Sequence, residues 1–385
     1  MRTIGVVSGS RADYGLYFPI LKKIMAHPRL KLRLYVTGTH LSRRFGYTVS
    51  WIKKDGFPIA ASVGIPLNLD SPDGIARAMG KGTIGFANVF KKNPPDILLI
   101  LGDRFEMHSA AVAAIPFNIP LAHIHGGELT YGSFDEYFRH SLTKMSHLHF
   151  TAAAQYAGRV KQMGEEPWRV KNCGAPGLDN ILSLPRYSKT ELIKKFKVNF
   201  SKPLILVTFH PVSMEYKKTE GHISNLLQSL SDYQNYSIIF TRPNADTYNE
   251  IITRRIRAFI HHHRNSLMVD NFGQRGYLSV MEHAALMLGN SSSGIIEAAS
   301  FKLPVVNIGA RQDGRIRNKN VIDAGDSIKD IQAGIQKALS QKFRSSLQEI
   351  KNVYGDGRAS QRIVSVLAEV HLGKLMPKYF IDRRP

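Results

Sequence analysis

The chain is predicted to fold as two Rossmann-like α/β domains in tandem, facing a cleft, and three observations predict it. Short apolar runs of strand length recur along the 385 residues, each closed by a glycine or polar turn. Between them lie stretches whose apolar residues fall at helical spacing, and strands alternating with helices indicate a parallel sheet with right-handed crossovers. The pattern then pauses over Lys171–Leu184 and Pro185–Phe196 and starts afresh, so it describes two units of similar length.

The first unit opens with Thr3–Ser8, a buried-type strand, then SRADYGLYFPILKKIMAHP, where Leu16, Ile20, Leu21 and Ile24 mark a helix. Strands are expected at Lys31–Val36, Ile59–Val63, Asp96–Leu101, Leu121–His125 and His147–Thr151, with helices across Gly74–Phe90, Phe105–Ala114 and Asp135–Met145. In the second unit the strands are Pro203–Phe209, Tyr236–Thr241, Leu267–Val269, Ala285–Gly289 and Pro304–Ile308. A final amphipathic helix, Gln361–Val370, is expected to pack back on the first domain, followed by a short basic tail. The domain bounds that follow are 1–184, 185–360 and 361–385.

At 43% hydrophobic and 21% charged the composition is that of a globular protein with ample core. No run of about 18 apolar residues is present, so no membrane-spanning helix is expected. The N-terminus reads as a strand and turn, not as a signal peptide. A single cysteine, Cys173, excludes an internal disulfide and fits the cytoplasm. The formal charge of +22 calls for an acidic partner. The basic residues are dispersed over helix faces such as Arg254-Arg255-Ile256-Arg257, without a nucleic-acid module, so nucleic acid is not expected; between an anionic lipid, a phosphorylated small molecule and plain solvated helix faces the charge alone decides nothing.

Ligands of open parallel sheets bind beyond the carboxyl ends of the strands, and every chemical motif here lies at such an end. After the first strand comes Gly9-Ser10-Arg11-Ala12-Asp13, where backbone N–H groups and Arg11 can hold a phosphate or base. The motif is not GxGxxG, so no dinucleotide is indicated. Gly102-Asp103-Arg104 follows the strand DILLIL: the aspartate suits acid–base work, or the two form a surface pair. In His123-Ile-His125-Gly126-Gly127-Glu128 the alternate histidines share a strand face, but two histidines without a third ligand are a weak metal signal, and none is assigned. The glycines allow a tight turn and close approach to a ligand, with Glu128 presented at the strand end. Ser133 and Glu136 fit a capping box. Asp135 and Arg139, four apart, share one helix face, with Glu136 and His140 as the neighbouring pair.

In the second unit His210 ends a strand. Gly289-Asn290-Ser291-Ser292-Ser293-Gly294 follows another and opens a helix, offering hydroxyls and free N–H groups to a diphosphate. Glu297 can accept hydrogen bonds from ribose hydroxyls. An arginine of Gly309-Ala-Arg311-Gln312-Asp-Gly314-Arg315 can neutralise phosphate.

Together the stretches SRADYG, GDRFE, HIHGGE, FDEYFRHSLTKMSHLHF, GNSSSGIIEA and NIGARQDGR resemble the UDP-N-acetylglucosamine 2-epimerases, over positions 8 to 317. HIHGGE and FDE favour the hydrolysing branch of sialic-acid and legionaminic-acid synthesis; the non-hydrolysing branch would read HxEAG and Pro-Glu-Glu. The resemblance implies two domains in the glycosyltransferase-B arrangement. It implies catalytic carboxylates at Asp103, Glu128 and Asp135, with Arg139 and His210 stabilising charge on the departing diphosphate. It implies nucleotide contacts from Arg11, Arg104, Ser291, Ser292, Ser293, Gly294, Glu297 and Arg315. It further implies no cofactor, no metal, and a homodimer or homotetramer. The expected reaction takes UDP-N-acetylglucosamine, or a UDP-2,4-diacetamido-2,4,6-trideoxyhexose, to the free 2-epimeric sugar plus UDP; a glycosyltransferase of the same fold is the alternative.

Overall fold

A computed structural model describes residues 1–67, 71–131, 134–212, 217–243 and 249–382. The chain divides into two compact units, Met1–Glu128 with Phe134–Leu182 and Tyr354–Pro385, and Leu129–Ser133 with Ser183–Val353.

In the first unit the strands are β1 (Arg2–Ser8), β2 (Leu30–Thr37), β3 (Ile59–Val63), β4 (Ile97–Leu101), β5 (Leu121–Ile124), β6 (Leu148–Thr151) and β7 (Val170–Asn172). They form one parallel sheet in the order β3-β2-β1-β4-β5-β6-β7. The connecting helices are α1 (Arg11–Ala26), α2 (Val49–Lys54), α3 (Pro72–Lys92), α4 (Phe105–Ala114), α5 (Asp135–Met145), α6 (Ala154–Gln162) and α7 (Asp179–Ser183). The central strands are apolar and buried along their length because helices cover both sheet faces, as β4 with the sequence ILLIL illustrates. The chain runs outward from β1 one way and returns to β4 to run the other way. The switch point therefore lies between β1 and β4, where Gly9–Asp13 and Gly102–Arg104 emerge.

The second unit repeats the device. Its strands are β8 (Leu204–Thr208), β9 (Ser237–Thr241), β10 (Ser266–Val269), β11 (Ala284–Gly289), β12 (Val305–Ile308) and β13 (Val321–Ala324). They pair in parallel in the order β10-β9-β8-β11-β12-β13. The helices are α8 (Lys189–Phe196), α9 (Thr219–Leu230), α10 (Asn249–His262), α11 (Gly273–His283), α12 (Ser292–Ile296), α13 (Ile328–Leu339) and α14 (Gln341–Ser346). Here the switch point falls between β8 and β11, beside His210 and Asn290–Ser293.

The chain rejoins the first unit at Tyr354, and α15 (Ala359–Glu369) lays Ile363, Val364 and Leu367 into the same core as Ile20, Leu21 and Ile24 of α1. The segment beyond it is held by polar contacts. Lys378 Nζ donates to the carbonyls of Lys144 and Ser146 and pairs with the buried Glu165 at 2.8 Å. Glu165 also takes Lys144 at 2.6 Å and His149 at 3.0 Å.

Several features differ from the sequence expectation. The expected passage between domains begins at Lys171, but Lys171 and Asn172 belong to the edge strand β7, and β13 closes the other sheet; neither has an apolar run because an edge strand is half solvated. The helices α2, α6 and α7 have no counterpart in the expectation, and α8 forms within Pro185–Phe196, expected as a passage between domains. Finally, β5 ends at Ile124, and His125 adopts φ 65°, which breaks the strand alternation. His123 and His125 therefore do not share a face.

Candidate active site

The first unit builds its site from the loops after β1, β4 and β5 and from the start of α5. Arg139, buried on α5, donates through Nη2 to Asp103 Oδ2 and through Nη1 to the His125 carbonyl at 2.9 Å. His125 Nδ1 meets Glu128 Oε1 at 2.5 Å, and both side chains are buried. Asp103, Arg139, His125 and Glu128 thus form one hydrogen-bonded chain. Asp135 stands half-buried one helical turn before Arg139, and its charge acts on Arg104. The helix begins at Asp135, with Phe134 at its N-cap position. Ser133, expected as the cap, lies outside the described residues; Glu136 pairs instead with His140 at 2.9 Å.

The two glycines of this turn are required by packing. Gly127 has φ 78°, and a Cβ there would lie 2.6 Å from the Tyr156 carbonyl of α6. A Cβ on Gly126 would press on His123 Nδ1 and Thr143 Oγ1, each at 3.0 Å. His123 itself is fully buried, with Nε2 2.7 Å from the Gly102 carbonyl and Nδ1 3.2 Å from Thr143 Oγ1. Burial lowers its pKa to about 3, so the ring is neutral. Among the described residues no group of three histidine, cysteine or acidic side chains is placed to hold a metal.

At the β1 end Ser10 caps α1, accepting from the Asp13 N–H at 3.3 Å, while Asp13 Oδ2 accepts from the Gly9 N–H at 3.2 Å. Arg11 is exposed at the first position of α1. Arg104 is gripped by Glu106, Nε to Oε2 at 3.1 Å and Nη2 to Oε1 at 2.9 Å. Glu106 is buried against Gly9 and Gly38, where added Cβ atoms would touch it. Burial pushes the neighbouring Asp13 carboxyl up to about 6, with Arg104 pulling it down.

In the second unit Asn290 is the organiser. Its Oδ1 accepts from the His210 N–H at 2.8 Å and its Nδ2 donates to the His210 carbonyl at 2.9 Å. Its own carbonyl takes Arg311 Nη1 at 3.0 Å and Gln312 Nε2 at 2.9 Å. His210 is buried and its pKa is lowered to about 3, first by burial and then by Arg311, so it is a neutral imidazole. Gly289, at φ 134°, passes so close to Thr208 that a Cβ would sit 2.1 Å from its carbonyl.

Ser291 caps α12, and hydroxyls line up beneath it. Ser291 Oγ lies 2.9 Å from Ser293 Oγ, which lies 2.7 Å from Tyr277 OH; that in turn is 3.3 Å from Thr208 Oγ1. Gly294 is buried, and Ser292 begins the helix. Glu297 has one carboxylate oxygen, Oε2, sealed from solvent and, among the described residues, without a hydrogen-bond partner. Burial raises its pKa to about 7 although the Arg315 charge opposes the shift. The residues that sequence reasoning passed over are His123 as a buried tie, Glu106, Asn290 and Tyr277. GDRFE and GNSSS were the signals for two of them; Tyr277 and the inward turn of His123 had none.

The model of the UDP-N-acetylglucosamine 2-epimerase family matches residues 22–368. A GDP/UDP-N,N'-diacetylbacillosamine 2-epimerase (hydrolyzing) of Campylobacter jejuni is 38% identical, covering 99% of each chain. The polysialic acid biosynthesis protein P7 of Escherichia coli is 37% identical, over 96% of this chain and 94% of that one. The crystal structure of UDP-GlcNAc 2-epimerase from Neisseria meningitidis bound to UDP-GlcNAc shares the fold, with TM-score 0.82 at 18% identity, over 96% of this chain and 100% of that one.

Proposed function

The chain belongs to the UDP-N-acetylglucosamine 2-epimerase family, in its hydrolysing branch, and on that footing we propose how its residues carry the reaction. It is an enzyme that acts on a nucleotide sugar. The substrate is a UDP-linked 2-acetamidohexose, and the products are UDP and the free 2-epimer.

The proton on sugar C2 has no adjacent carbonyl to acidify it, so C1–O cleavage must be well advanced before it leaves. The C1–O bond breaks, its electron pair departs with UDP, and a carboxylate takes the C2 proton, leaving a 2-acetamidoglycal. Water then adds through oxygen to C1 and gives its extra proton to a carboxylate, while an acid delivers a proton to C2 from the opposite face. Asp103, Glu128 and Asp135 supply these acid and base groups, each step gaining about 10²–10⁴-fold from a positioned group. Arg139 fixes Asp103 and faces the developing negative charge, where a preorganised cation is most effective. His210 acts as a neutral hydrogen-bond donor to the diphosphate. Arg11, Arg104, Ser291, Ser292, Ser293, Gly294 and Arg315 hold the nucleotide, and Glu297 receives ribose hydroxyls. We assign the working form as a homodimer or homotetramer in the cytoplasm.

The observation that carries this reading is the hydrogen-bonded chain Asp103–Arg139–His125–Glu128 with Asp135 one turn away. A glycosyltransferase would require an acceptor, so omission of any acceptor decides between the two. The test incubates pure enzyme with UDP-N-acetylglucosamine, and separately with UDP-2,4-diacetamido-2,4,6-trideoxyglucose, and follows products by NMR. Free sugar of the manno configuration with stoichiometric UDP from either substrate supports the reading, and the faster one identifies the sugar. Intact substrate in both tubes contradicts it.

A further inference from the structure

We propose that His123 and Thr143 are positioning residues that lock the Asp103 turn to the helix bearing Asp135 and Arg139; this rests on the assignment of those residues to catalysis. Three elements carry the acidic groups and Arg139: the turn after β4, the turn after β5, and α5. Side chains at the ends of separate elements stay in register only if something rigid joins the elements, and a misplacement of about 1 Å can cost on the order of 10²-fold in rate.

The join is made underneath the site, out of reach of substrate. His123 sits in the middle of β5 and is 0% exposed, as is Thr143 on α5. One ring nitrogen meets the carbonyl of Gly102, the residue before Asp103, at 2.7 Å. The other lies 3.2 Å from the Thr143 hydroxyl, one helical turn after Arg139. That hydroxyl also donates to the Arg139 carbonyl at 3.0 Å.

Proton bookkeeping determines the roles. A carbonyl only accepts, so Nε2 must carry the proton and donate to Gly102. In the neutral ring Nδ1 is then a bare acceptor, and the Thr143 hydroxyl is its donor. One threonine proton is thus shared between the imidazole and the Arg139 carbonyl, tying both to a single point. The neighbouring chain preserves the space, because a Cβ at Gly126 would lie 3.0 Å from both His123 Nδ1 and Thr143 Oγ1. Removal of the tie leaves the Gly102 carbonyl as a buried acceptor that the turn can satisfy only by moving, and Asp103 moves with it.

The experiment compares Thr143→Val, Thr143→Ser and His123→Phe with the wild type. It measures kcat and KM for the preferred UDP-sugar and the Kd of UDP by calorimetry, with kcat expressed per UDP-binding site so that unfolded protein is not counted. The expected result is a fall in kcat of about tenfold for Thr143→Val and about 100-fold for His123→Phe, with KM and UDP Kd within about twofold of wild type. Thr143→Ser keeps the hydroxyl and is expected within about threefold of wild-type kcat. Unchanged kcat in both disruptive variants would overturn the proposal, as would parallel losses of kcat and UDP affinity, or a serine variant as impaired as the valine. A wild-type enzyme that binds UDP yet liberates no sugar from UDP-sugars would instead overturn the catalytic reading, and this inference with it.

Discussion

Arg139 reaches from the second turn of α5 to Asp103 at the end of β4, one guanidinium nitrogen on the carboxylate and the other on the His125 carbonyl. Because the His125 side chain in turn meets Glu128, a single arginine joins two turns that bear carboxylates. An ammonium group cannot span both partners in this fork geometry. Arg139→Lys is therefore expected to keep the fold and lower kcat about 10²-fold, while UDP Kd, which the proposal assigns to other residues, stays within about twofold. Steady-state kinetics paired with calorimetry check it.

Tyr277 supplies the hydroxyl beneath Ser293, and Ser293 in turn contacts Ser291. In the proposed diphosphate contact the anion only accepts, which requires Ser291 to point its proton outward and be fed from below. Tyr277→Phe is expected to weaken UDP binding about fivefold, consistent with loss of one net hydrogen bond. Uridine, which lacks the diphosphate, is expected to bind the variant as it binds wild type.

Glu297 provides a pH signature. Burial raises its folded pKa to about 7 from the ordinary 4.5, so the folded state disfavours its ionised form. The stabilisation that goes with the protonated group is complete below the unfolded value and is lost as pH rises through the folded one. Thermal melts of ligand-free wild type are expected to lose more Tm between pH 5 and pH 8 than those of Glu297→Gln. Parallel curves would contradict the assignment.

Lys378 fastens the C-terminal segment to Glu165, beside the last turn of α5. Burial raises the Glu165 pKa, yet hydrogen bonds from His149, Lys144 and Lys378 outweigh it and bring the pKa down to about 2. A depressed carboxylate contributes stability above its unfolded pKa and loses it as pH falls toward the folded one. Lys378→Met is expected to cost about 2 kcal/mol near neutral pH, less than breaking a simple buried pair because two partners remain. The gap from wild type is expected to narrow as pH falls from about 4.5 toward 2, as chemical denaturation at several pH values will read.

The parts of the fold that were legible in the sequence are those where a whole element is buried. IGVV, ILLIL and LILVT announce central parallel strands because both faces are covered. VKN and VIDA, at the sheet edges, carry charged residues on their solvated side and give no such signal. The position of the candidate site was legible where a motif stands at a strand end, as Asp103 does after β4 and Ser291 after β11. It was misleading at His123 and His125, because period-two reasoning holds only while the backbone remains extended, and the left-handed His125 ends the strand. Tyr277 lay beyond reach of any local pattern, since its partners come from β8 and the start of α12.

The most direct measurement is turnover of the preferred UDP-sugar in D₂O without acceptor, reading the isotope at C2 of the released sugar. The account predicts one deuterium at C2 in the inverted product, with Asp103→Asn reducing its formation at least about 10²-fold. Free sugar that retains its original hydrogen and configuration at C2 would contradict the elimination–hydration route and the role given to the three carboxylates.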